Sequence, residues 1–235
     1  MKDKPRELRW TPQLVQRFWD YQSRFPGNYF TNQFGAEIAL SLAPLLRGHA
    51  RVLDYGCGMG FLLPHLARYA TEVAGADVSG ESLQKVNEIC GGTSNFLGAW
   101  SVEELMASSR KFDAIVAVEV IEHLYDDQLD KMLHDVGRLL NPGGIAIITT
   151  PNEEDLSLNE IYCPESDSVF HRWQHVRRFD AELLRSLMEK RGLSTQKVFT
   201  TDFAARGLNQ RLKAALRPYV GRKNPHLVYV GRKER

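Results

Sequence analysis

The chain has 235 residues, 43% of them apolar, and a formal net charge of +1. Its length buries a sizeable core in one α/β domain with a small cap and leaves too little for a second full domain, while near-neutral charge excludes a global field that gathers nucleic acid or acidic membrane. The longest apolar runs are strand-sized and cannot span a bilayer, the polar start 1–9 carries no secretory signal, and three widely spaced cysteines, Cys57, Cys90 and Cys163, predict a reducing, cytoplasmic setting.

In chain order, Thr11 and Pro12 predict a helix start, with Leu14, Val15, Phe18 and Trp19 on one face. Pro26-Gly27-Asn28 breaks that helix, and a second is predicted over 32–46. Residues 1–48 therefore read as an N-terminal helical cap whose many aromatics pack on the sheet that follows. Tyr29, Phe30 and Gln33, just before the longer helix, are the candidates for lining a pocket.

Residues 49–235 form the main domain, and its organising stretch is Arg51-Val-Leu-Asp-Tyr-Gly-Cys-Gly-Met-Gly60. A β-branched, apolar run ends at Asp54, three glycines alternate at Gly56, Gly58 and Gly60, and 61–69 is helix-compatible, so the pattern is strand, tight turn, helix. Glycines there let a ligand lie directly against the peptide groups. Dinucleotide turns need Gly-x-Gly-x-x-Gly, and Phe61 occupies the third glycine's place, which disfavours a nicotinamide-dependent oxidoreductase. Tyr219 and Lys223 have the spacing of a dehydrogenase pair but fall near the last strand. Val-Leu-Asp-Tyr-Gly-Cys-Gly-Met-Gly instead resembles the first motif of the class I S-adenosylmethionine-dependent methyltransferases.

That resemblance implies a Rossmann-like fold: a seven-stranded, mostly parallel sheet with helices on both faces, an antiparallel edge, and the N-terminal region as a lid. A second strand, 71–76, ends in Asp77, which is placed to accept hydrogen bonds from both ribose hydroxyls of the cofactor, with Val78 beside it. Ser79 starts a helix that Gly91-Gly92 ends. After a short strand at 95–98, the family resemblance puts the adenine near Trp100 and Ser101.

Lys111-Phe-Asp-Ala-Ile-Val-Ala-Val-Glu-Val-Ile-Glu-His-Leu124 reads as a central strand with charge only at its end, and it looks like the fourth-strand motif of the same family. A scaffold helix over 127–140, the stop Asn141-Pro-Gly-Gly144 and a fifth strand follow. The polar stretch 149–179 is long for a connection and reads as a substrate wall carrying Tyr162, His171, Trp173, His175, Arg177 and Arg178. A helix over 180–190, a strand over 193–199, a basic stretch and a last strand over 226–230 complete the chain.

Methyl transfer needs an aligned acceptor and a means of neutralising its hydroxyl. His123, Glu122, His175 and His171 are the catalytic candidates. Asp54, Gly56, Gly58, Gly60, Asp77, Val78, Trp100, Ser101 and Glu119 are the cofactor candidates, with Asp54 organising the turn. Glu119-x-x-Glu122-His123 with His175 also offers a ligand set for a magnesium or manganese ion, similar to that of small-RNA 2′-O-methyltransferases and ubiquinone-pathway O-methyltransferases. Cys163 with His171 and His175 has the outline of a zinc loop, but Ser166 replaces its second cysteine. The leading expectation is O-methylation of a small-molecule or glycan hydroxyl. An RNA 2′-O-methyltransferase is the alternative, which the charge does not favour.

Overall fold

The computed structural model describes residues 4–234, so Met1 to Asp3 of the polar start and cap lie outside the described residues. Its strands are β1 (Arg6–Glu7), β2 (Arg51–Tyr55), β3 (Glu72–Asp77), β4 (Phe96–Ser101), β5 (Phe112–Val118), β6 (Leu140–Pro151), β7 (Glu160–Cys163), β8 (Ser168–His171), β9 (Leu193–Thr201) and β10 (His226–Lys233). Its helices are α1 (Pro12–Gln22), α2 (Phe30–Leu46), α3 (Leu63–Leu66), α4 (Gly80–Cys90), α5 (Val102–Ala107), α6 (Asp126–Leu139), α7 (Ala181–Glu189) and α8 (Gly207–Leu216).

Seven strands form one sheet in the order β4-β3-β2-β5-β6-β10-β9. β2, β3, β4, β5 and β6 are parallel to one another, while β10 runs antiparallel to both β6 and β9. The reversed strand thus sits one place inside the sheet rather than at its edge as predicted. The long basic connection from β9, which contains α8, lets the chain turn back and slot between β9 and β6.

Period-two alternation splits each central strand between two cores. Leu53, Ile115, Ala117 and Ile148 face Leu105, Leu129, Leu133, Leu184 and Met188. Val52, Ala114, Val116 and Ile147 face Ile38, Leu42, Leu63, Leu66 and Val86. Burial on both faces explains the unbroken apolar run of β5. α2 supplies Ile38, Ala39, Leu42 and Leu46 to the second core, so this part of the cap is integral to the sandwich.

Two local expectations change. The helix predicted over 61–69 is a single turn, α3, flanked by three-residue bonds such as Leu63 N–H to Gly60 O and Tyr69 N–H to Leu66 O. Pro64 lies in the first turn, where a helix tolerates it, and the α-pattern ends where Arg68 and Tyr69 bond three residues back, to His65 and Leu66. Within the stretch 149–179, β7 and β8 pair as a hairpin, and β1 adds in parallel to β8. Tyr162 Oη donates to Asp167 Oδ1 across its turn at 2.9 Å.

Candidate functional site

The site begins where β2 meets its glycines. Gly56, Gly58 and Gly60 all have left-handed φ, at +75°, +51° and +82°. A Cβ on Gly56 would lie 2.7 Å from Val120 Cγ2, and one on Gly60 would lie 3.1 Å from Val86. Gly58 is different. Only Tyr29 Cε1, at 3.7 Å, stands near its missing side chain. The turn is therefore packed at both ends and open in the middle, facing Tyr29, whose ring also meets Phe61 edge-on. Burial, reinforced by Asp77 and Asp20, pushes the Tyr29 hydroxyl up to about 12.

Asp77 closes the turn from the end of β3. Its Oδ2 accepts from Gly58 N–H at 2.8 Å and its Oδ1 from Ser79 N–H at 2.9 Å. Burial raises its pKa, an effect that the N–H groups of Ser79, Gly58 and Val78 oppose. Each carboxylate oxygen keeps lone-pair capacity for a further donor. The Val78 side chain is 82% exposed, and its N–H turns to the Asp77 carboxylate.

Asp54 is buried, and among the described residues no hydrogen-bond donor reaches its carboxylate. Burial first, then the nearby Asp77, pushes it up to about 8. Its expected role as turn organiser thus has no bond behind it here. A folded-state pKa above the unfolded value favours the folded chain while Asp54 is protonated. That contribution is complete below about pH 4 and is lost as pH rises through about 8. Asp54→Asn, which cannot ionise, is therefore expected to melt higher than the parent at pH 8, by a difference of order a few kcal/mol. The gap should close toward pH 4. Equal melting shifts at both values, measured by calorimetry, would contradict the raised pKa.

Next along the sheet edge, Trp100 pairs in register with Ala76, and Ser101 with Asp77. The two adenine candidates thus stand beside the ribose candidate. Trp100 is half-buried, and the Arg110 guanidinium lies 4.4 Å from its ring centroid. The Ser101 hydroxyl is committed to a capping box. It accepts from Glu104 N–H at 3.1 Å, while Glu104 Oε2 accepts from Ser101 N–H at 2.8 Å.

The end of β5 brings together the acidic and imidazole candidates. Glu119 has φ +53°, a strained value for a non-glycine residue. Its N–H bonds Thr149 at 3.2 Å, its Oε1 accepts from Thr149 Oγ1 at 2.8 Å, and its Oε2 lies 3.4 Å from His226 Nδ1. Glu122 is 1% exposed. Its Oε2 accepts from Thr150 Oγ1 at 3.0 Å, and its Oε1 has no hydrogen-bond partner among the described residues. Burial, then Glu119, pushes its pKa well up. Burial, with His175 next, lowers His123 to about 3 and holds it neutral at working pH.

The stretch 149–179 folds back onto this point. One ligand-type atom each from Glu122, His123 and His175 lie within 4.8 Å of one another, and so do those of Glu154, His171 and His175. Glu154 Oε2 meets His175 Nδ1 at 2.5 Å, and Oε1 lies 3.3 Å from His171 Nε2. Burial acts to raise the Glu154 carboxyl, but the two imidazoles outweigh it and hold it at about 2. His171 Nδ1 accepts from the N–H groups of Trp173 and His175, and the two imidazoles stack with centroids 4.4 Å apart. With Nδ1 tied to Glu154, His175 keeps Nε2 free.

The cap closes the other side. Trp19 meets the His123 ring edge-on at 5.2 Å and donates through Nε1 to Gln174 Oε1 at 3.1 Å. Gln174 is wholly buried, and its Nε2 donates to His123 O at 3.0 Å. Phe30 and Phe203 flank His226. Gln33 bonds Gly27 O within the cap. Cys163 lies on the hairpin and joins neither His171 nor His175 in a ligand cluster. Tyr219 is 86% exposed and Lys223 pairs with Glu153.

Four contributors were not named as site residues from sequence: Glu154, Thr149 with Thr150, Gln174 and His226. Two threonines ending an apolar strand were a readable sign. Gln174 and His226 become visible only once the chain folds over.

Comparison with known proteins gives the family and the fold. Residues 19–198 match the family described as "Methyltransferase domain". The human mitochondrial ubiquinone biosynthesis O-methyltransferase is 32% identical over 214 residues, covering 79% of this chain and 55% of that protein. A protein of the same description from Cereibacter sphaeroides (strain ATCC 17029) is 35% identical over 134 residues, covering 55% and 53%. The chain thus spans about half the length of these curated relatives. In fold, it superposes on the Burkholderia thailandensis 1,6-didemethyltoxoflavin-N1-methyltransferase with TM-score 0.69 at 16% identity, covering 98% and 94% of the two chains. On an S-adenosylmethionine-dependent methyltransferase from Clostridium acetobutylicum the values are 0.61 and 15%, covering 94% and 99%. With a family match over most of its length and the glycine turn and acidic strand ends in their places, the chain belongs to the methyltransferase-domain family, among the class I S-adenosylmethionine-dependent methyltransferases.

Proposed function

We propose that the protein transfers a methyl group from S-adenosylmethionine to a hydroxyl of a small molecule or glycan, with a divalent cation held by Glu122, His123 and His175. The observation that carries this reading is the close approach of Val120 to Gly56, which brings the cofactor turn against the segment bearing Glu122 and His123, onto which His175 folds back. The relatives' names, with their O-methyltransferase activity, support oxygen as the target. Gly58 and Asp77 hold the adenosyl end, Trp100 borders it, and α1 covers the site as a lid.

The donor set suits magnesium or manganese. Glu122 Oε1 and His123 Nδ1 are buried without partners, His123 is neutral, and His175 is oriented by Glu154, as ligating histidines usually are by a carboxylate. Glu119 turns to Thr149 and His226, so three of the four predicted ligands converge. When bound, the ion would lower the acceptor hydroxyl's pKa and fix its direction. His175 Nε2 has a single lone pair, so it ligates the ion when one is bound; without an ion, the same atom, backed by the Glu154 carboxylate, is the group placed to take the proton. His123, with its low pKa, is a poor proton acceptor and serves better as a neutral ligand.

Calorimetry with S-adenosylhomocysteine, then release of that product with a panel of phenols, catechols and sugars in EDTA with and without added manganese, tests the reading. Saturable cofactor binding and metal-restored turnover on a hydroxyl are expected. Absence of cofactor binding would end the proposal, and turnover indifferent to EDTA would end its metal part, leaving the base formed by His175 and Glu154. Salt-sensitive RNA binding would instead revive the RNA reading.

A further inference from the structure

The connection from β9 to β10 carries a feature that the methyl-transfer site does not use. From 203 to 225 there is no acidic residue, while Arg206, Arg211, Lys213, Arg217, Arg222 and Lys223 are all cationic. Within α8, Leu208, Leu212 and Leu216 recur every fourth residue and are 84%, 59% and 51% exposed, and Tyr219 and Val220 just beyond are 86% and 70% exposed. Leucines at that spacing share one helix face. The only buried residue of α8 is Ala214, so the leucine stripe has no role in the core. A contiguous apolar face on an otherwise charged surface marks a binding surface.

The cations divide into two sets. Arg206 pairs with Glu37, Arg217 with Asp202 and Lys223 with Glu153, which pins the segment to the body of the protein. Arg211, Lys213 and Arg222 have no carboxylate partner among the described residues. A protein groove would account for the leucines alone. Leucines bordered by unpaired cations, with no acid nearby, match an anionic lipid surface: apolar side chains enter the acyl boundary while Lys and Arg meet the headgroups. We propose that α8 and the turn after it dock the protein onto an anionic bilayer, lying on the surface. This is distinct from crossing it, and no helix among the described residues is long and apolar enough to cross a membrane.

The position gives the docking a use. Arg206 also reaches Gln33 O in α2, and Phe203 meets His226, the neighbour of Glu119. The start of the docking segment is therefore joined to residues that pack next to Glu119.

Sedimentation with vesicles tests the inference. The full chain should co-sediment with vesicles of mixed phosphatidylcholine and phosphatidylglycerol, release as salt rises, and ignore pure phosphatidylcholine. The pair Leu208→Glu and Leu212→Glu should weaken binding by roughly tenfold or more, and Lys213→Glu with Arg222→Glu should do likewise, all with parental melting temperature and S-adenosylhomocysteine affinity. No binding to anionic vesicles, equal binding to neutral ones, or parental binding by the leucine variant would overturn it. So would a dimer by light scattering that the leucine variant abolishes, because a second copy would then cover this face.

Discussion

Asp77→Ala is expected to weaken S-adenosylhomocysteine binding by about 10²–10³-fold in titration calorimetry, from the loss of two charge-assisted hydrogen bonds to the ribose. The geometry behind this is already set in the folded chain, where the carboxylate at the end of β3 holds Gly58 N–H and Ser79 N–H and keeps lone pairs facing the open middle of the turn. Part of the loss would come through a loosened turn, so the melting temperature should be read alongside. Asp77→Asn, which keeps one acceptor oxygen and loses the charge, is expected to fall between the two. Undiminished affinity in the alanine variant would remove the ribose assignment and leave Asp77 as a brace for the turn alone.

The second large effect separates chemistry from cofactor binding. His175→Ala is expected to lower kcat by about 10²–10⁴-fold, the range for removal of a positioned acid or base, while S-adenosylhomocysteine affinity stays within a few-fold of the parent. Its imidazole sits between Glu154 on one side and the pair Glu122 and His123 on the other, with no contact to the glycine turn. Turnover is measured as S-adenosylhomocysteine released with the best acceptor from the panel. A parallel loss of cofactor affinity and turnover would mean that His175 serves the cofactor pocket. An unchanged kcat would place the proton transfer elsewhere.

How legible was this in the sequence? The sheet was, because strands covered on both faces must be apolar throughout, and β5 has no other reading. The glycine turn was, because a left-handed backbone at 56, 58 and 60 is written directly as residue type. The helix after it was overextended, since apolar spacing does not report where the bonding tightens from four residues to three, as it does at Arg68 and Tyr69. Stretch 149–179, expected as a substrate wall, folds back onto the end of β5, yet its hairpin was hidden among polar residues, and Glu154 looked like one surface acid among several. Glu119 shows the limit most clearly. Its spacing to Glu122 and His123 suggested a common ligand set, but its left-handed backbone turns the carboxylate toward Thr149 and His226. A dihedral angle of that kind leaves no trace in spacing.

One buried amide has a mechanical consequence. Gln174 spends its carbonyl on Trp19 of α1 and its NH₂ on the backbone beside His123, so the N-terminal helix is latched to the floor of the reaction chamber by a single side chain sealed from solvent. Lifting that helix strands the amide's oxygen in an apolar setting until water floods in. For the lid proposed above, intermediate, half-ajar positions are thereby penalised relative to a closed one. A latch of this sort turns a floppy flap into a two-position door.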